Sequence, residues 1–295
     1  MTYSLLLTDG EGLVAAVASC APGAGRVVPH VRDGVGAALS QAHGDAAVGR
    51  EILAGLAAGR TPQAAVRQAV MAAGDAEHRQ AAALSLDASV GTHRGAEVLP
   101  AAGERPTGDG LVCGNLLANE RVLERMEQEV LSSRTADPLL SRAIAALRAA
   151  EAAGGDARGR MSAGLRAHGP APELLGWGPH VALALDVRID VAEQPLELLA
   201  DAVAVEAVYA VVAAFTRGEA EPPSPDDVPA LLEELVARAG DASAAIVFCR
   251  EVVGGRMQQP AWSRQLARDL VARHPGRGAT EVTVARLWST LDGAP

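Results

Sequence analysis

Strand-like and helix-like segments follow one another in blocks along this chain, and that order restricts the folds open to it. Leu5 to Leu7, the turn Asp9-Gly10-Glu11-Gly12 and Leu13 to Ser19 read as a β-hairpin whose Asp-Gly pair supplies positive φ angles. A short apolar run from Val35 to Leu39 is a candidate third strand. Two helices are expected next: Ala46 to Ala58, stopped by Gly59, and one with Thr61 as N-cap and Pro62 at its first position, stopped by Gly74. Gln80 to Asp87 alternates like a strand and Gly110 to Gly114 is a candidate for another. Helices are predicted over Glu120 to Ser132 and from Asp137-Pro138 to Gly154-Gly155. Strands over Ser162 to Arg166 and Val181 to Asp190 then precede a long Ala/Val/Leu helix from Pro195 to Phe215. Blocks of strands and helices in turn predict sheets packed against helices, an α+β arrangement, rather than a doubly wound parallel sheet.

The proline-rich stretch Glu219 to Pro225 cannot continue a helix. It divides the chain into an expected main domain over residues 1–217, a linker at 218–226 and a small all-α appendage at 227–295 with about four short amphipathic helices. The appendage carries mixed charge and no basic stripe, which favours packing or protein contact over DNA binding.

All 26 basic residues are Arg, which excludes Schiff-base chemistry and a phosphate-loop lysine. A net charge of -10 argues against nucleic acid or an anionic membrane as partner. The longest apolar stretch, Ala202 to Phe215, is interrupted by Glu206 and too short to span a bilayer. Cys20, Cys113 and Cys249 are scattered and odd in number, reading as free thiols of a reducing, cytoplasmic setting. The seven histidines include no pair spaced i, i+4 on a common helix, so no metal is expected. Gly34-Val35-Gly36 lacks the third glycine of a dinucleotide loop, so no nucleotide cofactor is expected either.

The chemistry-bearing candidates are few. Thr2 directly follows Met1 and leads into the first strand; once Met1 is removed it would carry both a nucleophilic hydroxyl and an α-amine able to act as its base. Asn115, just after a strand, could donate to an oxyanion or simply cap a turn. Cys113 beside it reads as a small core residue. The cluster Gly154 to Ser162 contains Asp156 and Arg158, which could fix a polar ligand or form a structural pair behind a helix C-cap. Glu77-His78-Arg79-Gln80 reads as a solvated turn in preference to part of a site.

In order and spacing these segments resemble the bacterial family called domain of unknown function 1028. The matching stretches are Thr2 to Asp9, Val14 to Ser19, Val27-Val28-Pro29, Asp33 to Gln41, Glu77 to Gln80, Gly114 to Ala118, Ala153 to Ala163 and Asp186 to Asp190. The resemblance spans roughly residues 2 to 200. It implies a four-layer αββα sandwich of the N-terminal nucleophile hydrolase type. It further implies amide-bond cleavage of a small-molecule substrate by Thr2, with Asn115 at the oxyanion and Ser19, Asp156, Arg158 and Arg32 as substrate-binding candidates. Five positions depart from the family pattern: Cys20-Ala21-Pro22 replaces a basic residue and two aromatics, His30 a tryptophan, and Ala157 a basic residue. Arg26, Arg32 and Arg158 are the candidates for supplying the missing charge. The alternative is a non-catalytic ligand-binding or assembly module that keeps the fold, and the Ala-rich helices suggest a homo-oligomer.

Overall fold

A computed structural model describes residues 2–133, 137–176 and 178–221. The chain divides into two compact units, Met1–Leu199 and Ala200–Pro295. The expected appendage lies outside the described residues, as do Cys249 and the linker from residue 222 onward.

The elements run β1 (Thr2–Thr8), β2 (Leu13–Ser19), α1 (Ala24–Val27), β3 (Pro29–Arg32), β4 (Gly36–Ala42), α2 (Ala46–Ala57), α3 (Pro62–Ala73), β5 (Arg79–Ser85) and β6 (Val90–Arg94). They continue through β7 (Gly103–Pro106), β8 (Gly110–Asn115), α4 (Arg121–Ser132), α5 (Leu139–Ala152), β9 (Ser162–Pro170), α6 (Ala171–Leu175), β10 (Ala182–Ile189) and α7 (Pro195–Arg217). A six-stranded sheet has the order β10-β9-β2-β1-β8-β7, and a four-stranded sheet the order β3-β4-β5-β6. All the pairings are antiparallel. Helices α2 and α3 lie on the smaller sheet and α4 and α5 on the larger one, with the two sheets facing each other. The first unit is therefore an α+β sandwich of four layers.

Local chemistry explains the helix ends that the sequence predicts. The Asp45 carboxylate accepts from Ala47 N at 2.7 Å to open α2, and Thr61 Oγ1 accepts from Ala64 N at 3.3 Å with Pro62 next in line to open α3. Gly74, at φ 73°, ends α3. The expected start of α5 at Asp137-Pro138 is met with Pro138 as N-cap, and it supplies no side-chain bond.

The alternation of β1 sorts its side chains between two layers. Leu6 joins Leu13, Ala15, Val17, Ala37, Leu39, Ala82, Leu84, Leu111 and Cys113 in the apolar core between the sheets. A second core of Ala38, Ala81 and Ala83 packs under Val48, Ile52, Val66 and Val70 of α2 and α3. With so few aromatic residues, small side chains set the spacing between layers; Gly49 of α2, for instance, gives its space to the ring of His30. Following the inter-sheet face toward the start of β1, the residues turn polar: Ser4 and Thr2 on β1, Ser19 on β2, Gln41 on β4, Gln80 on β5 and Asn115 on β8. This polar end is where the candidate site lies.

Candidate active site

Three strand ends meet at Thr2. The antiparallel register places Thr2 beside Asn115 of β8 on one side and, one step beyond the Tyr3–Ala18 pair, beside Ser19 of β2 on the other. Ser19 in turn pairs with Ser162 of β9. A row of hydroxyl and amide residues thus crosses four neighbouring strands. Thr2 Oγ1 lies 3.3 Å from Ser19 Oγ, and Thr2 is 5% exposed in the intact chain.

Behind this row, a hydrogen-bonded chain of buried amides crosses between the sheets. Ser4 Oγ donates to Gln41 Oε1 at 2.7 Å, and Gln41 Nε2 donates to Gln80 Oε1 at 2.8 Å. Asn115 Nδ2 donates to the same Gln80 oxygen at 2.9 Å. Gln80 Nε2 is directed to Glu104 Oε1 at 2.6 Å and to the carbonyls of Gly114 and Gly103 at 3.1 and 3.2 Å. Each amide is oriented by its neighbour, so the network fixes which way the Asn115 side chain points. Asn115 uses one N–H on Gln80 and does not cap a turn; Asn119 does that, accepting from Arg121 N at 3.0 Å.

Gln80 therefore does not sit in a solvated turn: it is 1% exposed and is the hub of the network. The sequence signal for it is positional. Gln80, Ala82 and Leu84 occupy alternate places on one strand face, as do Leu39 and Gln41 and as do Ser4 and Leu6, so each polar residue continues a buried apolar stripe. Cys113, on the same face, contacts Ser4 Oγ at 3.3 Å and Gln41 Nε2 at 3.5 Å. Burial pushes its thiol up to about 12, which keeps it protonated and unsuited to act as a nucleophile.

The backbone beside Asn115 is held in an uncommon conformation. Leu116 has φ +55°, which costs a branched L-residue about 1 to 2 kcal/mol. Surrounding loops hold it there: Leu116 N donates to Leu99 O, Leu117 N to Ala101 O and Ala118 N to Gly155 O, each at 3.0 Å.

The Gly154–Ser162 segment acts as a clamp. The Asp156 side chain is fully buried; its carboxylate accepts from Cys20 N at 2.8 Å and Arg158 N at 2.9 Å, and the Arg158 guanidinium lies against it at 3.3 Å. Asp156 thus pins the residue next to Ser19 and is a positioning residue for the Thr2–Ser19 pair. Arg158 belongs to the same cluster, with its side chain about half exposed. On the other face of β1, the Tyr3 hydroxyl reaches Glu151 Oε1 at 3.5 Å, and burial raises its phenol well above the ordinary range. Gly155, at φ +56°, lets the chain pass this ring: a Cβ there would stand 3.3 Å from Tyr3 Cε1.

Two other cation candidates are placed elsewhere. Arg26 pairs at the surface with Asp190. Arg32 pairs in register with Gly36, at the end of β4 remote from Gln41, so it is not brought to Thr2. His30 turns away from Thr2 as well: its ring lies against Gly49 of α2 and bonds Val27 O at 2.9 Å through Nε2. Desolvation holds its pKa below the usual imidazole value. An open groove between α4 and α5, lined in part by Asn119, Arg125, Gln128 and Ala153, touches none of the Thr2 residues.

A sequence model for a family of unknown function, DUF1028, matches residues 2–199. The chain belongs to the DUF1028 family. The match coincides with the first compact unit, which holds the whole polar network. The crystal structure of protein SPO2555 from Silicibacter pomeroyi, described with the same family, superposes with a TM-score of 0.60 at 26% identity. That comparison covers 68% of this chain and 87% of the other. No curated protein matches the sequence.

Proposed function

We propose that this DUF1028 chain is an N-terminal nucleophile hydrolase that cleaves an amide bond in a small substrate, with Thr2 as nucleophile after Met1 is removed. The observation that carries this reading is the 3.3 Å contact between the hydroxyls of Thr2 and Ser19, beside Asn115 and backed by the oriented amide chain. Removal of Met1 frees an α-amine whose ordinary pKa is about 8, so part of it is neutral near pH 7. Thr2 Oγ1 would attack the carbonyl carbon while its proton passes through water to that amine. The amine would then protonate the departing nitrogen as the C–N bond breaks, leaving an acyl ester on Thr2 for water to hydrolyse. An amide nitrogen carries two hydrogens, so Asn115 has a second N–H to offer the oxyanion while the first stays on Gln80.

No helix among the described residues is long and apolar enough to cross a membrane. A cytoplasmic setting fits the free thiols of Cys20 and Cys113.

The test is to treat the purified full chain with a β-lactone and measure intact mass and the N-terminal peptide. Attack by Thr2 opens the ring and adds the whole reagent as an ester. The expected result is loss of Met1 and a single adduct on Thr2, absent in Thr2→Ala. Met1 retained on the bulk of the protein, or an unmodified Thr2 in the processed protein, would overturn the proposal.

A further inference from the structure

The opposite end of β1 from Thr2 brings together three side chains far apart in sequence. Glu11 sits in the β1–β2 turn, Glu173 on α6, and His180 in the segment leading to β10. Each offers one ligand atom, and the three atoms lie within 4.8 Å of one another. The histidines show no metal-ligand spacing along the chain; tertiary structure alone assembles this set.

Asp9 Oδ1 accepts from Glu11 N at 3.1 Å and Gly12 N at 2.7 Å, which locks the turn. Gly12 packs closely: a Cβ would meet Leu139 Cδ1 of α5 at 2.7 Å and Leu174 Cδ2 of α6 at 3.4 Å, so the turn rests on both helices. Ala171 N donates to Val181 O at 2.9 Å and Gly176 N to Pro172 O at 2.7 Å, closing the loop that carries His180 back beside Glu173.

A second observation points to a ligand. Glu173 Oε2 is hidden from solvent and has no hydrogen-bond partner among the described residues. A buried carboxylate oxygen without a donor is unfavourable, and a bound cation removes that penalty.

We propose that Glu11, Glu173 and His180 bind a divalent transition-metal ion of the zinc type. An imidazole nitrogen with two carboxylates suits such an ion, whereas calcium and magnesium prefer oxygen alone. Three protein ligands leave room for water to complete the shell. The ion would be a brace, tying the β1–β2 turn to the α6–β10 loop, and it is independent of the chemistry proposed at Thr2.

The experiment uses the full chain stripped with a chelator, then titrated with Zn2+ by calorimetry and thermal unfolding, with Ca2+ in parallel. The expected result is saturable Zn2+ binding that raises the melting temperature. Glu11→Gln, Glu173→Gln and His180→Ala should each weaken it about tenfold or more, the range already seen on removing partners of metal ligands. Glu11 and His180 are exposed, so their variants keep the fold, which circular dichroism checks. Three results would each overturn the proposal: no saturable Zn2+ binding, binding of unchanged affinity in all three variants, or Ca2+ bound as tightly as Zn2+.

Discussion

Replacing Gln80 by Ala should break the polar core between the sheets at its hub. The side chain is 1% exposed and accepts from Gln41 and Asn115 while donating to Glu104. Its removal leaves three side-chain partners short of a bond, the buried Gln41 and Asn115 and the half-buried Glu104. At about 1 to 1.5 kcal/mol apiece, the low end of the range because water can enter the vacated space, the loss is about 3 to 4.5 kcal/mol. A domain stable by about 5 to 15 kcal/mol would survive this, so the variant should fold at room temperature. Hydrogen exchange in increasing urea, read on peptides covering Thr2–Thr8 and Gly110–Asn115, reports on this unit directly. Gln80→Glu is the companion. It keeps the shape and the acceptor but sets a second carboxylate where Glu104 Oε1 now receives a 2.6 Å hydrogen bond. The introduced carboxyl would have a folded pKa raised above its unfolded value of about 4.3. Its protonated form donates to Glu104, so the variant should be close to wild type below about pH 4.3 and lose stability as pH rises through the raised pKa. A Gln80→Ala loss under about 1 kcal/mol, or a Gln80→Glu loss independent of pH, would refute the view that these amides are mutually dependent.

Two further outcomes follow from the smaller sheet. Gly49→Ala should destabilise the protein although Ala is favoured over Gly by about 1 kcal/mol inside a helix, because the new Cβ would lie 2.0 Å from His30 Cδ2 and the ring is held by Val27. A raised melting temperature in that variant would show the ring can yield. His30, whose folded pKa is depressed by burial, contributes stability present above its unfolded value of about 6.5 and lost as pH falls through the folded pKa. Unfolding measured from pH 7.5 down to 5 should show that slope in the wild type and a flatter profile in His30→Gln; parallel profiles would remove His30 as its source.

Much of the secondary structure was readable along the chain because its signals are local. Thr61-Pro62 and Gly74 bound α3 as expected, and the Asp9–Gly12 turn joins β1 to β2. The strands Pro29–Arg32, Val90–Arg94 and Gly103–Pro106 are too short to show a period, and their partners are set by register with distant segments. Thr2, Ser19, Asn115, Asp156 and Arg158 were all visible as candidates, and the fold gathers them at one end of the larger sheet. Arg32 was equally plausible by residue type, but β3 ends beside Gly36, at the end of β4 remote from Gln41, and so does not deliver it.

By itself the sequence determined the order of the longer strands and helices, the family, and the presence of a threonine behind Met1, since each depends on neighbours along the chain. Only the tertiary structure decided which polar residues share a buried environment. Gln41, Gln80 and Asn115 come from three strands in two sheets; likewise only the fold brings Glu11, Glu173 and His180 together, from a turn, a short helix and a loop. A hydrogen bond or a ligand set depends on distance in space, and the stacking of the two sheets supplies the proximity that sequence spacing does not encode.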